Sequence, residues 1–138
     1  MKTPPQAVQR NVAARFATAL LVGDAAGARA LLVPADDGAL VFLVQQAVAR
    51  WRTQQGSIQL RARRAGPCLT GDVACKLWTV SYGRRRTHSD GRFEMERGEL
   101  VVFIAPSAAG ARVEFFAFRN VRTRFSTHHD SQLLPSKR

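Results

Sequence analysis

The sequence predicts an α+β domain, with three N-terminal helices packed on a curved four-stranded antiparallel sheet. Three observations carry this expectation. Apolar residues recur at helical spacing through the first third of the chain and switch to strict alternation after Gly56. The turn signals "SDG" and "SAAG" then divide the later alternating runs, as hairpins require. The chain has 138 residues, 46% of them hydrophobic, which suits one domain with its own core. That domain is expected over residues 1–125, followed by a flexible tail at 126–138.

Pro4 and Pro5 open the first helix, which runs to about Val22, because proline is tolerated in a first turn. Val8, Val12, Phe16, Ala19 and Leu20 form its stripe, and Gly23 stops it. Asp24 caps a second helix, "AAGARALLV", which Pro34 ends. Asp36 or Asp37 caps a third, from Gly38 to about Thr53, with Leu40, Val41, Val44, Ala47, Val48 and Trp51 on its buried side.

The first strand, "SIQLRAR", sets Ile58, Leu60 and Ala62 against Gln59, Arg61 and Arg63. In the second, "ACKLWTVSY", Trp78, Val80 and Tyr82 share one face, and Cys75, Leu77 and Thr79 the other. The third, "RFEMERGELVVFIA", is expected to turn Phe93 and Met95 inward and Glu94 and Glu96 outward, with a bend at Gly98. The fourth, "ARVEFFAFRNVRTRF", sets Val113, Phe115 and Ala117 against Glu114, Phe116 and Phe118. The middle strands carry apolar groups on both faces. One face meets the helices, and the other is expected to meet a partner chain, a second copy in a homodimer, or the curl of the sheet itself.

The formal charge is +11, and residues 50–124 hold fifteen basic against six acidic side chains. Such asymmetry points to an acidic partner: a protein, RNA or another polyanion. Arginine outnumbers lysine eighteen to three, so GC-rich coding is the competing explanation. No apolar run is long enough for a membrane helix. The first 23 residues lack acids, as an organellar transit peptide does, but their periodicity favours the first helix of the domain. The sequence does not fix a compartment: an intracellular soluble protein is favoured, with organelle import as the alternative. Cys68 and Cys75 are expected as buried free thiols, with a disulfide across a hairpin neck as the alternative.

"RFATALLVGDAAGARALLVP" and "GELVVFIAPSAAGARVEFFAFRN" together resemble the nuclear transport factor 2-like superfamily, across residues 7–125. The resemblance implies a cone. Members include ketosteroid-isomerase-like enzymes, polyketide cyclases, transport adaptors and assembly domains, so it does not by itself choose a function. Enzymes of this fold work in the mouth of the cone with Asp, His or Tyr on inner strand faces. Here Tyr82 is the leading candidate donor, and Trp78, Tyr82, Phe93 and Phe115 are the candidate pocket lining.

No acid and base are expected on one inner face, so no catalytic residue, cofactor or metal is assigned. His128, His129 and Asp130 lie on the expected tail, and His88 is expected as a solitary surface histidine. The expected function is therefore a non-catalytic binding or assembly module, with a small-molecule enzyme as the alternative. Its basic surface is assigned to Arg84, Arg85 and Arg86 at a hairpin tip, with Arg61 and Arg63 beside them. Arg64, Arg122 and Arg124 belong to neighbouring strand ends or outer faces. Guanidinium forks match phosphate oxygens, which makes RNA one candidate partner.

Overall fold

α1 (Gln6–Val22) begins directly after Pro5, whose carbonyl accepts from the Gln9 amide. The computed structural model describes residues 3–34, 38–49, 58–67 and 75–126, and it is α+β, with three helices and an open four-stranded antiparallel sheet. Gly23 closes α1 in the left-handed conformation at φ 84°, where glycine carries no Cβ penalty. Its N–H and that of Asp24 reach back to Leu20 and Ala19, satisfying carbonyls the helix end leaves orphaned.

Asp24 caps α2 (Ala25–Arg29) as expected, accepting from the Gly27 N–H at 2.9 Å. This helix is shorter than its sequence pattern suggests. Residues 31–33 leave it to pair in parallel with Val113, whose N–H donates to the Leu31 carbonyl and whose carbonyl accepts from Val33. Arg112 secures the junction on the Ala30 carbonyl. Two long-range backbone bonds outweigh the helical preference of this leucine-rich stretch. α3 (Ala39–Ala49) buries Leu40 and Val44 and leaves Phe42 exposed. Asp36, Asp37 and Trp51 lie outside the described residues.

The strands are β1 (Ile58–Pro67), β2 (Lys76–Thr87), β3 (Phe93–Ser107) and β4 (Gly110–Ser126), hydrogen-bonded in that order. At the β2–β3 turn, the His88 N–H donates to the Arg92 carbonyl, and Asp90 accepts from the Arg92 N–H. That N–H, with the Arg92 guanidinium, holds the exposed Asp90 carboxyl below its usual range. The core lies between the helices and one face of the sheet. Phe16, Leu20 and Val44 meet Trp78, Val80, Leu100, Val102, Ile104, Val113 and Phe116 there. The Phe16 and Phe116 rings stand 5.1 Å apart. Buried Gln9 ties the layers together: it donates to the Pro4 carbonyl at 2.7 Å and accepts from the Trp78 indole at 2.9 Å.

Three expectations about side-chain direction and pairing are corrected. Glu94 and Glu96 are buried on the helix side, in phase with Leu100, Val102 and Ile104. The irregularity at Gly98 exists, but its extra residue is on β4: Asn120 and Val121 together oppose Gly98, and Asn120 takes a φ of 55°. β3 therefore keeps its period of two through Gly98, which places Phe93 and Met95 on the opposite, open face. A second register shift, at Glu114, separates Val113 from Phe115. Val113 and Phe116 are buried on the helix side, while Phe115 is 43% exposed on the open face. The third correction concerns sulfur: Cys75 is buried and disulfide-bonded, where a free thiol was expected. Cys68, with the histidines at 128 and 129 and Asp130, lies outside the described residues.

Candidate functional site

The triple-arginine run belongs to β2, so its side chains alternate between faces. Arg84 does not project from a tip. It is 3% exposed, donates to the Leu21 carbonyl at 2.8 Å, and pairs with Glu96 at 3.1 Å. It thus sits at the carbonyl end of α1, where a cation complements the helix dipole. The same Glu96 oxygen accepts the Tyr82 hydroxyl at 2.5 Å.

Arg86 bonds Glu94 at 2.9 Å, and the same carboxylate oxygen meets the His88 ring at 2.9 Å. His88 is therefore paired and partly buried, not solitary. Burial pushes the Glu94 carboxyl up, but hydrogen bonds from Arg86 and His88 outweigh it and hold the group below its usual range.

Tyr82 packs edge-on against Phe118 over Gly98. A Cβ at Gly98 would stand 3.1 Å from the Tyr82 hydroxyl oxygen and 3.2 Å from the Val121 backbone, so this close approach uses the missing side chain. Acids and donors thus do gather on the inner face, contrary to expectation, but they are tied to one another. The expected pocket lining is not assembled either. Trp78 and Tyr82 are buried on the helix side, whereas Phe93 and Phe115 belong to the open side. Shallow depressions of about 360 Å³ and about 250 Å³ border the helices, and none of these four residues lines them.

The open face has a different character. Its rows of paired residues can be followed from the hairpin end inward. Arg85, Met95 and Arg124 form the first row, and Gly83, Arg97 and Arg122 the second. Arg61, Ser81, Glu99 and Arg119 form the third, and Arg63, Thr79, Val101 and Ala117 the fourth. Leu77, Phe103 and Phe115 complete the fifth. Among the described residues, these rows carry seven exposed arginines and one carboxylate, Glu99.

Glu99 is already engaged. It accepts from Arg119 at 2.8 Å and Asn120 at 3.0 Å, and these bonds hold its carboxyl below its usual range. Arg119 also reaches the Thr79 hydroxyl, so its guanidinium is held against the sheet. Arg85 lies over the Phe93 ring, its carbon 4.9 Å from the centroid. Arg97 and Arg122 stand directly opposite each other, an arrangement that costs stability because like charges repel.

Of the arginines assigned from sequence, Arg61, Arg63 and Arg85 lie on this face, while Arg84 and Arg86 are on the other. Arg97 and Arg119, with Phe103, were not assigned. The signal for Arg97 and Phe103 is their parity with Phe93 and Met95, which only an unbroken β3 makes meaningful; Arg119 joins them through the pairing of β4 with Glu99.

No helix among the described residues is long and apolar enough to cross a membrane. No protein-family model matches the chain, and no curated protein sequence matches it.

Proposed function

We propose that the chain is a non-catalytic binding module of the nuclear transport factor 2-like cone type, which holds an acidic partner on the open face of its sheet. One observation carries this proposal: among the described residues, the paired rows of that face hold seven exposed arginines and one carboxylate, Glu99, which is already hydrogen-bonded. The stripe extends over about 20 Å from the Arg85 row to the Arg63 row, taking ~3.4 Å per strand residue. The opposed pair Arg97 and Arg122 supports it further, because a fold gains nothing from that repulsion unless an anion offsets it. Self-association through this face would set like charges against each other, so a different, acidic molecule fits better. The alternative of a small-molecule enzyme would use Tyr82, and it is weakened by the commitment of that hydroxyl to buried Glu96.

Elution from a heparin column tests the proposal. The double variant Arg97→Ala with Arg122→Ala is expected to elute at clearly lower salt than the native chain. Arg15→Ala with Arg29→Ala removes the same charge from exposed helical positions and is expected to shift elution much less. Equal shifts in the two variants would mean that net charge alone, with no organised face, governs binding.

A further inference from the structure

The arginine stripe ends at an aromatic pair. Phe115 is 43% exposed, and Phe103 packs edge-on behind it with ring centroids 5.7 Å apart and planes at 71°. The next row toward the stripe contains Arg63 and Ala117, and Ala117 is too small to screen the ring from that side. A flat apolar surface beside guanidinium groups poses a specific chemical demand. A simple polyanion satisfies the arginines and leaves the ring wet. A duplex does the same, because its outside is phosphate and its base faces are stacked internally. A single strand offers both partners at once, phosphates along one edge and unstacked bases with free π-faces.

We propose, resting on the polyanion-binding reading of this face, that its ligand is a single-stranded nucleic acid. The phosphates follow the arginine stripe, and a base stacks on Phe115. Arg119, hydrogen-bonded to Glu99 and Thr79, lies within the stripe, two rows from the aromatic end. Sequence preference is expected to be slight, since every base has a face that can stack.

The experiment is a set of fluorescence-anisotropy titrations with labelled single-stranded RNA and DNA homopolymers and with a duplex of equal length, at several salt concentrations. Native chain, Phe115→Ala, Phe115→Trp, and the double variant Arg97→Ala with Arg122→Ala are compared, each first shown to be folded by circular dichroism. The single strand is expected to bind at least about tenfold tighter than the duplex at matched salt. Phe115→Ala is expected to lose roughly 5- to 150-fold of that affinity with an unchanged salt slope, and Phe115→Trp to restore it. The double arginine variant should instead flatten the slope, by about 0.7 for each phosphate that is no longer neutralised.

Equal affinity for both nucleic acids, or no effect of Phe115→Ala, would overturn the single-strand assignment while leaving a polyanion-binding face. Preference for vesicles containing phosphatidylserine over every oligonucleotide would overturn it in favour of a lipid surface. Salt slopes identical in native chain and arginine variant would overturn the reading of the face itself.

Discussion

Glu96→Ala is expected to lower the unfolding free energy by about 3–5 kcal/mol, as read from a urea titration. The side chains of Arg84 and Glu96 are 1% and 3% exposed, so removing the acid leaves a guanidinium buried with its Glu96 counter-charge gone. The Tyr82 hydroxyl loses its acceptor in the same step. The variant that isolates this cause is Arg84→Met combined with Glu96→Leu. Both charges are then removed together, and the loss is expected to be far smaller, because desolvating an ion pair offsets much of its Coulomb attraction. If the double variant were as unstable as Glu96→Ala, packing and not the lost counter-charge would be the cause. Arg97→Ala gives the opposite contrast. It relieves the repulsion from Arg122, so stability is expected to hold or rise even as polyanion affinity falls.

Phe16→Ala is expected to cost about 3–5 kcal/mol, because it empties a fully buried site between helix and sheet. Its ring fills the seam against Phe116, and both belong to the cluster that contains Trp78 and Val102. Thermal melting followed by tryptophan fluorescence reads this directly, since Trp78 lies in the same core. Phe42→Ala, at an exposed ring of α3, provides the control, and its melting temperature is expected to stay close to native.

The element order was legible because it rests on local signals. Helical spacing in α1, the Gly23–Asp24 stop and cap, and the Asp-Gly turn each act over a few residues. The faces of β3 and β4 were not legible, because they depend on which strand carries the extra residue at Gly98. Nothing local marks Glu114 as a bulge, and at Asn120 the only local signal is asparagine's tolerance of the left-handed region. Charge misled for a related reason. Glu94, Glu96 and Arg84 look like solvent-facing residues, and they become buried only because strand pairing supplies each with its counter-charge. The basic surface was therefore anticipated in sign but assigned to a run of consecutive arginines. Alternation divides that run between two faces, and the stripe is assembled from residues distant in sequence, such as Arg63, Arg97 and Arg122.

Two-dimensional NMR of the native chain titrated with inorganic polyphosphate tests the central claim, that the open sheet face is the binding surface. Shifts are expected at Arg97, Glu99, Val101, Ala117, Arg119 and Arg122. The inner-face positions Leu100 and Val102, and Val44 of α3, are expected to stay in place. Shifts confined to the helices or to the turn at residues 88–92, with the open-face signals unmoved, would contradict it.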